Sequence, residues 1–211
     1  MKKNDIQTLT EKIRSIDGMS IEFEFIASPV DEIEINQINN YYNSIPPELI
    51  SIFREFDGAE IVWNYYSENI NIKGTIKYSS LSYLFGGLTN TYSDQAFEDI
   101  IWFDSDDDDL NSEIKSYKLF EGFDEIGLWG LISPNDNYLV HIYDNGKLHL
   151  TSTSISLYTN ISMLALGIPY WQYLLINDSD EYVKQNKNNV LTILKMIAPD
   201  NINKINSLLR R

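Results

Sequence analysis

IGLWGLISPNDNYLVHIYDNGKLHLTST, residues 126–153, decides the fold class. Its apolar runs Ile126–Ile132 and Tyr138–Tyr143 are split by Pro134-Asn135-Asp136-Asn137, a cluster of turn residues. Asn145-Gly146 then joins Tyr138–Tyr143 to Leu148–Thr151, because both residues tolerate the positive φ that a two-residue hairpin needs. Three strands joined by short turns can only run antiparallel. The hairpin also sets a register: Asp144 opposes Lys147 and Ile142 opposes His149, so His141 points to the other face from His149. A histidine dyad or a metal shared by the two is therefore not expected.

Strands continue upstream. Ala59–Tyr66 is rich in β-branched and aromatic residues, and Asn71–Tyr78 alternates, with Ile70, Ile72, Gly74, Ile76 and Tyr78 on one face. Ile21-Glu22-Phe23-Glu24-Phe25 alternates apolar with acidic and predicts a half-buried strand, and Ile100–Phe103 predicts a brief one. Ser80–Phe85 is expected to form a short helical turn. Helices precede and follow this block. Ile6, Leu9, Ile13 and Ile16 recur at helical spacing, and the helix they mark stops near Asp17-Gly18. Helices are expected at Val30–Tyr42 and Pro46–Asp57, the second opened by the Pro46-Pro47 pair and closed by Asp57-Gly58. Ile155–Leu166, Tyr170–Ile176, Val183–Ile197 and a stretch after Pro199 complete the helical set. Helices, then hairpin-linked strands, then helices specify an α+β fold: one antiparallel sheet of about five or six strands against N- and C-terminal helices. The 211 residues contain no linker long enough to divide them, so residues 1–211 are read as one domain, with Trp63, Trp102 and Trp129 mostly buried.

Charge and composition narrow the function. The chain carries −15 and no cysteine, which excludes disulfides, thiolate metal sites and cysteine nucleophiles. Such acidity repels phosphate backbones and argues against direct nucleic-acid binding. No apolar stretch follows Lys2 and Lys3 as in a secretory leader, and no uncharged apolar run spans a membrane, so a cytoplasmic location is expected. From Asp94 to Glu125, twelve carboxylates face two lysines; from Lys184 to Arg211, six cations face one aspartate. That asymmetry either serves solubility alone or draws a basic partner. Asp104-Ser105-Asp106-Asp107-Asp108-Asp109 superficially resembles a calcium loop, but positions six and twelve are Asp109 and Lys115 where the chemistry needs Gly and Glu. No phosphate-cradling or nucleophile-elbow motif is present. Neither a metal nor a cofactor is expected.

Taken in order, Ser28-Pro29-Val30-Asp31-Glu32-Ile33-Glu34, Ser44-Ile45-Pro46-Pro47-Glu48-Leu49-Ile50-Ser51-Ile52-Phe53 and Phe56-Asp57-Gly58-Ala59-Glu60-Ile61 resemble the SUKH superfamily, named in part for a yeast cell-wall-assembly regulator. Asp57 stands where that pattern usually has Asn. Ile72-Lys73-Gly74-Thr75-Ile76, Leu81–Gly86, Ile101-Trp102-Phe103-Asp104 and Tyr170-Trp171-Gln172 resemble one bacterial branch, so the likeness covers about residues 29–175. The resemblance implies an α+β binding domain without catalytic apparatus. Its bacterial members are immunity proteins of polymorphic-toxin and contact-dependent systems, which neutralise a cognate toxin, often a nuclease, by direct binding. A regulatory or scaffold role with a normal cellular partner is the alternative, and a hydrolase using carboxylates at Glu121, Asp124 or Glu125 a third. On the immunity reading the partner is a basic toxin and the chain a monomer or weak dimer. The expected contact surface is Asp104, Asp106, Asp107, Asp108 and Asp109, supported by Glu98, Asp99, Glu121, Asp124 and Glu125, with Phe120 and Phe123 as apolar anchors.

Overall fold

The computed structural model describes residues 1–41, 45–68, 70–85, 117–123, 128–133, 136–144 and 146–210. The chain opens with helix α1 (Lys3–Ser15), which buries Ile6, Leu9, Thr10 and Ile13, the periodic face expected from sequence. Gly18, at φ +79°, turns it into strand β1 (Met19–Ile26). Helices α2 (Glu32–Tyr41) and α3 (Pro47–Phe53) follow, then strands β2 (Ala59–Ser67) and β3 (Ile70–Tyr78) and the short helix α4 (Leu81–Phe85). Strands β4 (Lys118–Phe123), β5 (Leu128–Ile132), β6 (Val140–Asp144) and β7 (Lys147–Thr153) form the second strand block. Helix α5 (Ile155–Leu164), a 3-10 turn at Trp171–Leu175, α6 (Glu181–Ile197) and α7 (Pro199–Leu209) close the described chain. The helix–strand–helix order gives the α+β class, and every strand pair is antiparallel.

Among the described residues the strands form two sheets, β1-β2-β3 and β4-β5-β6-β7, rather than one sheet of five or six. The reason lies at the outer edge of β3. There Thr75 N donates to Gly167 O at 2.9 Å, so the 165–168 turn occupies the position a neighbouring strand would take. A side chain on Gly167 would collide with the Thr75 carbonyl, and Gly167 sits at φ +61°, so only glycine lets the turn dock this closely. The sheets touch where Ser79 N donates to Phe120 O at 3.1 Å.

One buried cluster runs through α1, α2, α3, both sheets and the C-terminal helices. On the inner face of the first sheet Ile61 pairs with Ile76 and Trp63 with Gly74. The Trp63 ring lies over Gly74, where any Cβ would collide with it, and its Nε1 donates to Leu166 O at 2.6 Å. The termini are tied together: Lys12 Nζ donates to Asn201 Oδ1 at 2.7 Å, and Asn201 Nδ2 donates to Leu164 O at 2.6 Å.

One expectation about side-chain direction is corrected. Phe23 and Phe25 are 48% and 53% exposed, not half-buried against the core. A bulge between Ile21 and Phe23 sets Phe23 opposite Val62 and Phe25 opposite Glu60, which turns both rings outward. Trp63 is fully buried and Trp129 is mostly buried, packed against the second sheet's smaller cluster with part of its surface left open. Trp102, the predicted strand Ile100–Phe103 and the loop Asp104–Asp109 lie outside the described residues. Among the described residues, no helix is long and apolar enough to cross a membrane.

Candidate functional site

The predicted acidic contact surface is only partly within the described residues. Glu98, Asp99, Asp104, Asp106, Asp107, Asp108, Asp109, Asp124 and Glu125 lie outside them. Phe123 ends β4 and pairs with Leu128. Phe120 and Glu121 are corrected outright: they are 1% and 0% exposed, inside the core, and cannot meet a partner from there. The physical reason is the β4 bulge between Leu119 and Glu121, which breaks the strict alternation of faces and turns consecutive side chains inward.

Glu121 shares a row across the second sheet with Gly130, Ile142 and His149. A Cβ on Gly130 would collide with the Tyr158 hydroxyl, so the glycine makes room for the tyrosine beside the carboxyl. Ser162 Oγ donates to Glu121 Oε1 at 3.4 Å. Burial pushes the Glu121 carboxyl up to about 8; Tyr158, the Lys77 backbone N–H and Ser162 offset this only in part. The acid is thus largely protonated at neutral pH. Tyr158 lies near enough to favour its ionised form, yet neither Tyr158 Oη nor Glu121 Oε2 closes a hydrogen bond of good geometry. Tyr78 Oη, Trp171 Nε1 and both amide atoms of Gln172 share that condition. Of the carboxylates named for the hydrolase alternative, Glu121 is completely enclosed, and Asp124 and Glu125 lie outside the described residues.

The two histidines sit as the hairpin requires, with Ile142 opposite His149 and Asp144 opposite Lys147. His141 Nδ1 accepts from Thr151 N at 3.0 Å, so a neutral ring carries its proton on Nε2, 3.4 Å from the Asp136 carboxylate. His149 Nδ1 lies 3.9 Å from Asp178, and burial, helped by Lys147, pulls its imidazole below the ordinary value. Lys147 Nζ donates to Asp178 at 2.9 Å and Tyr173 Oη to Asp144 at 2.6 Å, which pins the hairpin to the segment before α6. Among the described residues, no group of three metal-binding side chains converges.

The surface feature with binding geometry is a cleft of ≈ 250 Å³ where the two sheets meet. Phe25 of β1, Glu60 of β2 and Lys77 and Tyr78 of β3 line it from the first sheet. Tyr83 of α4, Leu119 of β4 and Trp129 of β5 line it as well. The Asp57-Gly58 turn shapes the end of the cleft. Gly58, at φ +89°, lets the chain pass close to the Tyr78 carbonyl, and Asp57 Oδ1 accepts from Leu81 N at 2.6 Å, capping α4. Burial raises the Asp57 carboxyl above its usual range, and the Leu81 N–H partly offsets this. Phe25, Glu60 and Lys77 stand in one cross-strand row. Sequence reasoning assigned Asp57 to a turn and missed the rest, because the lining comes from five separate stretches of chain. The one local signal was the pair of aromatics in an acidic strand, which the bulge turns toward solvent. Comparison with protein-family models, curated proteins and solved structures finds no match for the chain.

Proposed function

We infer that the chain works by binding a basic protein, in the manner of an immunity protein that masks its cognate toxin. The observation that carries this reading is the cleft between the sheets. It combines exposed aromatic surface with two carboxylates on a chain of net charge −15. Aromatic anchors supply the buried contacts that slow dissociation, while net charge speeds the encounter with an oppositely charged partner. The SUKH-like order of segments supports the same reading: its Asp57-Gly58 turn builds the end of the cleft. The enclosed Glu121 weighs against the carboxylate hydrolase.

The test is to co-express the chain with the products of its neighbouring genes, where the immunity reading expects a toxin domain. Growth is expected to be rescued and a stable complex to co-purify, burying about 1,600 Å² in total. Failure of both rescue and complex formation contradicts the reading.

A further inference from the structure

We propose that the cleft between the two sheets receives one arginine side chain of the basic partner, with its guanidinium at Asp57 and Glu60 and its methylenes against Phe25 and Trp129. This rests on the reading of the chain as a binder of basic proteins and names the contact that reading needs.

Size comes first. Small-molecule sites usually run to about 300–1,000 Å³. A cleft of ≈ 250 Å³ lies below that range and suits one long side chain better than a multi-ring ligand. Its chemistry comes second. Arginine is flat, weakly hydrated and always charged, so it can lie on aromatic rings and still offer paired N–H donors to carboxylates. Both kinds of surface are here, with Phe25, Tyr83 and Trp129 beside Asp57 and Glu60. Electrostatics come third. Glu60 stands directly opposite Lys77, yet among the described residues no ion pair within 4 Å joins them. The Asp57 carboxyl is desolvated with only a backbone N–H to offset it, so an arriving cation relieves an existing cost. Lys77 also lines the cleft and opposes the same cation.

The test titrates N-acetyl-arginine methylamide into the whole chain and follows the Trp129 indole and Lys77 amide resonances. A saturable response at these two positions is expected in the millimolar range. The neutral isostere N-acetyl-citrulline methylamide should give none, and N-acetyl-lysine methylamide should bind several-fold more weakly. Glu60→Gln should weaken binding about tenfold, the scale of one charge-assisted hydrogen bond. Lys77→Gln should tighten it, and Glu11→Gln, on the far helix α1, should leave it unchanged. Equal binding of citrulline or lysine, or indifference to Glu60→Gln, overturns the inference. A chain that rescues growth but shows no arginine response also overturns it, and leaves the immunity reading standing. A cleft that binds the probe in a chain that rescues nothing supports the inference and overturns the immunity reading.

Discussion

The two sheets use the same device with opposite polar outcomes. In each, a glycine in a strand makes room for a large aromatic: Gly74 for Trp63 in the first sheet, Gly130 for Tyr158 in the second. Trp63 is fully buried and its only polar atom is satisfied by Leu166 O. Tyr158 is equally buried, but its hydroxyl sits beside a protonated carboxyl among other polar groups that lack good hydrogen bonds. The first region is held by shape and is indifferent to pH. The second is held by shape and by a proton. A buried aromatic therefore does not describe its own energetics; what its polar end meets decides them.

Four measurements would break or sharpen that contrast. Trp63→Ala removes the largest buried side chain of the first sheet and should cost about 3–5 kcal/mol in denaturant unfolding, with no dependence on pH. A loss below about 1 kcal/mol would show that the first sheet is not the rigid half.

The second concerns Glu121. Its folded-state carboxyl titrates near 8 against an ordinary 4.5, so the folded chain holds a proton that the unfolded chain releases. Its contribution is fullest below pH 4.5 and is lost as pH rises toward 8, on the order of 3–5 kcal/mol across that window. Glu121→Gln keeps the size and cannot ionise, so the stability difference between it and the parent should slope over pH 4.5–8 and flatten outside it. A pH-independent difference would contradict the buried acid.

Third, Gly74→Ala should cost more than Gly130→Ala, the two falling at the upper and lower ends of about 1–3 kcal/mol. A new Cβ at Gly74 meets the enclosed rings of an indole, whereas at Gly130 it meets the far end of a tyrosine. The reverse order would show that the second sheet is the stiffer one. Fourth and smallest, Asp57→Ala should cost about 0.5–2 kcal/mol by removing the acceptor that caps α4, and Asp57→Asn should restore most of it. Equal losses in both variants would mean that charge, not capping, holds the turn.

The contrast also shows where sequence was legible. The inner faces of β2 and β3, the Asn145-Gly146 register and the α1 stripe follow from period-2 and period-3.6 spacing, which tertiary contacts leave intact here. Phe25, Phe120 and Glu121 were misread for one shared reason. Phe120 is the extra residue of a bulge and Phe25 and Glu121 follow one, and an extra residue breaks the alternation of faces. The division into two sheets depended on a turn near residue 167 reaching the edge of β3, about ninety residues earlier in the chain, and no local pattern encodes that. The cleft was hidden for a similar reason, since it exists only where five separate stretches of chain meet.

Hydrogen exchange on the chain, free and mixed with the basic toxin domain that the immunity reading expects as its partner, tests the central claim most directly. The account predicts that binding slows exchange in residues 57–60, 77–83 and 128–130, with Lys77→Gln strengthening the effect and Glu60→Gln weakening it. A complex that protects only other surfaces, or a mixture in which no complex forms, would contradict it.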